Sequence, residues 1–124
     1  MKTLKFKIPL YKVTVDLIQI EDKNDVEPVK AYFKKNRIEP IEEVLDNIAK
    51  DACDGGETYR LLSKRQMTVL FYQFSSDIEK ANIYAHEKRH MEDRILEYFD
   101  VNDIESAAIL AGYLGEKFYE FDRK

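Results

Sequence analysis

The chain has 124 residues and a formal net charge of −4, with 44% hydrophobic and 35% charged residues. This balance is typical of one folded domain with its own core, and it excludes a disordered or fibrous chain. The negative charge argues against a nucleic-acid partner, because there is no basic excess to neutralise phosphates. Lys34, Lys35 and Arg37 form a small basic cluster, which we interpret as a solvated helix end.

The chain carries no pattern that indicates export or membrane insertion. Cys53 is the only cysteine, so no disulfide can form within the chain. The segment MKTLKFKIPLYK alternates lysine with apolar residues and lacks the apolar segment and cleavage site of a signal peptide. No apolar segment approaches the ~20 residues that span a membrane. We therefore expect a cytoplasmic protein with no membrane partner.

The first half of the chain predicts one strand followed by two helices. Residues 11–20, YKVTVDLIQI, alternate β-branched residues in the manner of a strand. A polar turn at 22–25 precedes an amphipathic helix that ends near Asn36. A second helix is predicted to start at Pro40.

The middle of the chain predicts a loop and then one or two strands. DACDGGET, residues 51–58, contains a Gly-Gly pair and is interpreted as the loop. Residues 58–63 are a candidate short strand. Residues 66–74, QMTVLFYQF, are aromatic, β-branched and uncharged, which predicts a buried strand.

Two helices are predicted to end the chain. Ser76 and Glu79 have the spacing of a capping box and predict a helix that runs to about Phe99. DVND, residues 100–103, is a turn, and a last helix runs from about Asp103 to Phe118. Together these elements predict an α+β domain with a small mixed or antiparallel sheet.

The segment AHEKRH, residues 85–90, contains both histidines of the chain in an H-E-x-x-H arrangement. Residues four apart lie on the same face of a helix, so His86 and His90 can hold one metal ion. Glu87 lies about 100° round the helix from His86. That position suits a base that acts on a metal-bound water rather than a ligand.

Glu87 also falls on an apolar stripe of the same helix, formed by Tyr84, Met91, Ile95 and Tyr98. A buried carboxylate is costly unless a partner compensates it, and a metal with its water would do so. The alternative is a glutamate at the edge of the stripe that reaches solvent.

A catalytic zinc needs a third protein ligand and an open position for water. The chain has no third histidine, and Cys53 lies in a distant loop, so the ligand must be an aspartate or glutamate. The start of the next helix favours Asp103 or Glu105. Glu105 could instead be a helix-cap partner, three residues after Asn102.

These segments resemble a known group of enzymes. A strand MTVLFYQF, a helix with HEKRH and a helix that opens NDIESAAILAGYL are similar to the zincin metallopeptidases with a glutamate third ligand. Among these, the compact ImmA/IrrE-like family is most similar, and DIESAAIL loosely reproduces its E-x-E-A-x-x-F-A pattern. The resemblance covers about residues 66–118.

The resemblance implies a single zincin-like domain over residues 1–124 that hydrolyses peptide bonds in a peptide or protein substrate. It implies Zn²⁺ as cofactor, with His86, His90 and Glu105 as ligands and Glu87 as the general base. It also implies that the strand 67–74 pairs with an extended substrate. Tyr59, Tyr113 and Arg60 are available to stabilise the oxyanion, and the sequence does not select among them.

Two alternatives remain open at this stage. Lys88 and Arg89 replace the apolar and small residues usual inside the family's motif, which favours a catalytically degenerate zincin fold that acts as a protein-interaction module. The other alternative is a surface helix whose charges pair along its length, for example Glu87 with Arg94 and Arg89 with Asp93.

Overall fold

The computed structural model describes residues 1–39 and 42–124, and in these residues the chain forms four strands and four α-helices. The elements are β1 (Lys2–Ile8), β2 (Val13–Gln19), α1 (Val26–Lys35), α2 (Glu42–Ala49), β3 (Gly56–Leu61), β4 (Gln66–Phe71), α3 (Asp77–Tyr98) and α4 (Ile104–Asp122). The α+β class is confirmed. The predicted helix start at Pro40 lies outside the described residues. Among the described helices, none has the length and apolar character needed to cross a membrane.

The four strands form one mixed sheet in the order β1-β2-β4-β3. The central strands β2 and β4 are parallel, and β1 and β3 pair with them antiparallel at the two edges. The sequence interpretation omitted β1. Its alternation places Phe6 and Ile8 in the core and leaves Lys5 and Lys7 exposed, which is the pattern of a half-buried edge strand.

Helices α3 and α4 cover one face of the sheet. Val13, Val15 and Leu17 of β2 are fully buried there, in one apolar cluster with residues of both helices such as Ile95 and Leu114. Each aliphatic side chain buried in this way stabilises the fold by about 1.5–3 kcal/mol. This layer fixes the position of α3, the helix that carries the two histidines.

Helices α1 and α2 cover the other face, which includes a row of polar residues. Lys5, Asp16, Thr68 and Tyr59 are cross-strand neighbours in register across all four strands. The Asp16 side chain is buried; it accepts a hydrogen bond from the Tyr32 hydroxyl and lies 3.4 Å from the Lys5 ammonium. The polar row therefore continues from one edge of the sheet to the other.

Several predicted boundaries were wrong. Gly56 was assigned to a loop but begins β3, and β4 ends at Phe71 rather than at residue 74. Helix α4 continues to Asp122, four residues past Phe118, because Phe118 and Phe121 both pack into the core below it. Apolar contacts of this kind extend a helix beyond a weak local propensity.

Candidate functional site

Helix α3 begins at the predicted cap, where the Ser76 hydroxyl accepts a hydrogen bond from the Glu79 backbone N–H at 3.1 Å. One flank of the helix packs against α4. The opposite flank faces the edge strand β3 across a cavity of about 230 Å³. The cavity is lined by Gly56, Thr58, Arg60, Glu87, His90 and Arg94.

His86 and His90 converge on the exposed side of this flank. Their Nε2 atoms lie 3.0 Å apart, so one ring donates a hydrogen bond to the other. Two imidazole nitrogens bound to one tetrahedral zinc are separated by roughly 3.4 Å, given Zn–N bonds of about 2.0–2.1 Å. A small outward shift of the rings would therefore admit a shared metal ion.

Glu87 is buried beneath β3, with 7% of its surface exposed. Its Oε2 atom accepts a hydrogen bond from the Thr58 hydroxyl at 2.7 Å. Gly56 makes this approach possible, because a Cβ atom at that position would lie 3.1 Å from the Glu87 Cγ atom. The Thr58 hydroxyl thus offsets part of the cost of burying this carboxylate.

The apolar stripe predicted on α3 is only partly correct. Met91 and Ile95 are fully buried, and Tyr84 packs edge-on against Phe118 at 5.6 Å between ring centroids. Tyr98, however, is 51% exposed. The packed residues face α4, whereas Glu87 faces β3.

Glu57 lies next to Thr58 on β3 but does not line the cavity. Its pKa is raised by partial burial and by the charges of Glu43 and Glu87.

Among the described residues, the structure brings no third His, Cys, Asp or Glu together with the two histidines. Asp103 is the cap of α4: its Oδ2 atom accepts a hydrogen bond from the Ser106 backbone N–H at 2.8 Å. Hydrogen bonds from Ser106 lower the pKa of the Asp103 carboxyl. Glu105 lies exposed in the first turn of α4 and is not the cap. Within residues 1–39 and 42–124, no three His, Cys, Asp or Glu side chains form a group that could hold a metal.

Helix α4 packs on one side of α3. A Cβ atom at Gly115 would lie 3.6 Å from the Lys88 Cε atom, so α4 runs along the Lys88 side of α3. His90 and Glu87 line the cavity on the β3 side instead. His86 and His90 therefore fit two positions of a zinc ion, and the described residues leave the other positions to water or to a group from outside.

The charged residues inside the motif pair along α3. The Lys88 ammonium lies 2.6 Å from a Glu92 carboxylate oxygen, and the Arg89 Nε atom lies 3.2 Å from an Asp93 oxygen. The predicted Arg89–Asp93 pair is thus observed. Neither Lys88 nor Arg89 lines the cavity, so these two charges leave the space beside Glu87 open.

Of the three candidate oxyanion groups, the structure places one at the cavity. Arg60 lines it together with Glu87 and His90. The Tyr113 hydroxyl donates to the Lys7 carbonyl, and Tyr59 packs against Phe33 on the opposite face of the sheet.

The predicted substrate-pairing strand needs correction. Strand β4, which holds most of residues 67–74, lies between β2 and β3 and pairs with both. Its backbone groups are therefore already used within the sheet. The edge strand beside α3 is β3, which pairs with β4 on one side only. No protein-family model, curated protein or solved structure matches the chain.

Proposed function

We propose that this chain binds zinc through His86 and His90 and hydrolyses peptide bonds in a peptide or protein substrate. The observation that carries the proposal is the 3.0 Å approach of the two Nε2 atoms in an H-E-x-x-H segment. His90 shares its cavity with the buried Glu87 and with an edge strand. The proposed metal ligand, the proposed base and an edge strand that can pair with an extended chain thus border the same cavity.

Strand β3 is the proposed substrate surface. An extended peptide can add to a free sheet edge through main-chain hydrogen bonds. A peptide on β3 would pass the mouth of the cavity. Arg60 lies on the same strand and lines that cavity, so it is the proposed group that orients a substrate carbonyl oxygen.

Glu87 is the proposed general base. The Thr58 hydrogen bond fixes its carboxylate, and its burial excludes bulk water from one side. A carboxylate held in this way accepts a proton from a water molecule positioned within hydrogen-bond reach. Bound zinc would lower the pKa of such a water to about 7.

The incomplete ligand set favours a second candidate function. A catalytic zinc site has three protein ligands, and the described residues bring two together. A domain with this arrangement could bind an extended peptide along β3 without hydrolysing it. In that case neither zinc nor the carboxylate of Glu87 would be required for peptide binding.

Cleavage of reduced, carboxymethylated casein with added zinc tests the two candidates. New amino termini are identified by mass spectrometry, and casein binding is measured in parallel. We expect Glu87→Gln to slow cleavage by about 10²–10⁴-fold, since that is the usual contribution of a general base. The exposed Glu116→Gln variant on α4 is the matched control.

The other outcomes separate the candidates. Casein binding without cleavage, unchanged by a chelator and by Glu87→Gln, would overturn the peptidase proposal and support the binding domain. Absence of both binding and cleavage would overturn both candidates.

A further inference from the structure

A second cavity lies between β3, the start of β4 and the end of α1, and Thr58 and Arg60 line both this cavity and the one beside Glu87. Its volume is about 460 Å³, and it adjoins another of about 350 Å³. The two share Arg37, Leu61, Lys64 and Gln66. We call the combined space the basic cleft, after the cationic residues that line it: Arg37, Arg60, Lys64 and Arg65.

The basic cleft concentrates positive charge on a chain whose net charge is −4. Glu39 is the one acidic residue among the described residues that line it. Within the described part of the chain, Arg37, Arg60 and Lys64 form no ion pair. Three cations without a carboxylate partner repel one another, and an anion between them would relieve that repulsion.

Arg65 differs from these three because its side chain is held by the protein. Its guanidinium donates to the Tyr11 carbonyl at 2.6 Å and lies 4.9 Å from the centre of the Phe99 ring. Neither Tyr11 nor Phe99 lines the cleft, so these contacts hold the Arg65 guanidinium outside it. Arg37 and Lys64 are the cations left to contact a ligand in the cleft alone, since Arg60 also lines the cavity beside Glu87.

The inner wall of the cleft offers a buried hydroxyl group. Tyr59 and Thr68 are cross-strand neighbours, and both line the cavity. Thr68 is 1% exposed, and the Tyr59 hydroxyl is buried with no hydrogen-bond partner. A buried polar group without a partner costs about 1–3 kcal/mol. An acceptor oxygen that reached this hydroxyl from the cleft would satisfy it.

We propose that the basic cleft binds a small organic phosphate. Arginine guanidinium groups form paired hydrogen bonds with phosphate oxygens, and a lysine adds a point charge. Ile38 and Leu61 line the same cavity and provide apolar surface for the organic part. The volume lies within the range of about 300–1,000 Å³ that is usual for small-molecule sites.

The basic cleft shares Thr58 and Arg60 with the cavity beside Glu87, but its other lining residues are distinct. Arg37, Lys64 and Tyr59 line the basic cleft and are absent from the lining of the cavity that contains Glu87 and His90. Variants at these three positions can therefore be tested without changing the histidine site.

Titration calorimetry with phenyl phosphate at constant ionic strength tests the proposal, with inorganic phosphate as the second probe. We expect phenyl phosphate to bind more tightly, and we expect Arg37→Gln and Lys64→Gln each to weaken it by about fivefold or more. Lys35→Gln is the matched control, because it removes the same charge from an exposed position outside the cleft lining.

Tyr59→Phe separates a ligand contact from a structural role. The variant removes a hydroxyl that has no partner in the protein, so its urea midpoint should equal or exceed that of the wild type. Binding of phenyl phosphate should weaken by about threefold or more. The proposal would be overturned by unchanged binding in an Arg37→Gln/Lys64→Gln double variant. Equal weakening by Lys35→Gln would also overturn it, by showing general surface attraction only.

Discussion

The two flanks of α3 differ in what they contact. Towards α4, Met91 and Ile95 are fully buried in an apolar cluster with residues such as Leu114. Towards β3, Glu87 and His90 line a small polar cavity. Both flanks belong to one helix of 22 residues, so the difference comes from the side chains and their neighbours rather than from the backbone.

The α4 flank contributes mainly to the stability of the fold, and the β3 flank holds the candidate site. The α4 flank buries apolar surface, which is the main favourable term in folding. The β3 flank includes exposed histidines and a buried carboxylate, neither of which contributes comparable apolar burial. Substitutions on the first flank should unfold the domain, whereas substitutions on the second should change ligand binding and leave the fold intact.

The largest expected effect on stability is at Ile95. Ile95→Ala should lower the free energy of unfolding by about 2–5 kcal/mol, because it removes buried methyl groups and leaves a cavity. Urea denaturation followed by circular dichroism measures the loss. Ile109→Ala on α4 is the matched control, since that side chain is 62% exposed. Equal losses in the two variants would show that the assignment of the packed flank is wrong.

The cap at the start of α3 should have a smaller effect. Ser76→Ala removes the acceptor for the Glu79 N–H and should cost about 1 kcal/mol of unfolding free energy. The exposed Ser63→Ala is the control in the same urea experiment. If the two variants were equally stable, the Ser76 hydrogen bond would not help to fix the helix that presents His86 and His90.

In the absence of metal, substitutions of the histidines on the β3 flank should change the unfolding free energy least. His86→Ala and His90→Ala should each change the unfolding free energy by less than about 0.5 kcal/mol, as is usual for exposed positions. Added zinc should then raise the thermal midpoint of the wild type only, because a ligand that binds the folded state stabilises it. A midpoint that rises equally in all three proteins would place zinc elsewhere.

The cap of α4 should respond to acid. The folded pKa of Asp103 lies below its ordinary value, so its carboxylate stabilises the fold above the unfolded pKa of about 4. That contribution is lost as the pH falls through the folded pKa. The stability advantage of the wild type over Asp103→Asn should therefore shrink between pH 6 and pH 2. The exposed Asp46→Asn is the control, and a difference that grows on acidification would contradict the cap.

Local signals in the sequence were sufficient for the central strands and the helix that carries the motif. The cap signal at Ser76 and Glu79 spans three residues, and the apolar spacing of Met91 and Ile95 spans four. Strand β1 was also readable from its alternation of lysine with Phe6 and Ile8, but that segment was considered only as a possible signal peptide.

The missed features depend on which elements come together in space. Helix α4 packs on the Lys88 side of α3, and the described residues show no group of three metal-binding side chains that includes Glu105. In the basic cleft, the fold brings together residues that are far apart in the sequence. Arg37 appeared to be part of a solvated helix end, and only the sheet brings it near Arg60 and Lys64. Residue spacing within one helix cannot predict which separate elements pack together in the fold.

Zinc binding by titration calorimetry is the most direct test of the central claim, that His86 and His90 hold a metal without Glu105. The wild type should bind one zinc ion per chain, His90→Ala should abolish binding, and Glu105→Ala should keep it. Wild-type binding that matches a His86→Ala/His90→Ala double variant would contradict the site. Loss of binding in Glu105→Ala would contradict the exclusion of that residue and would mean that α4 approaches the histidines when metal is present.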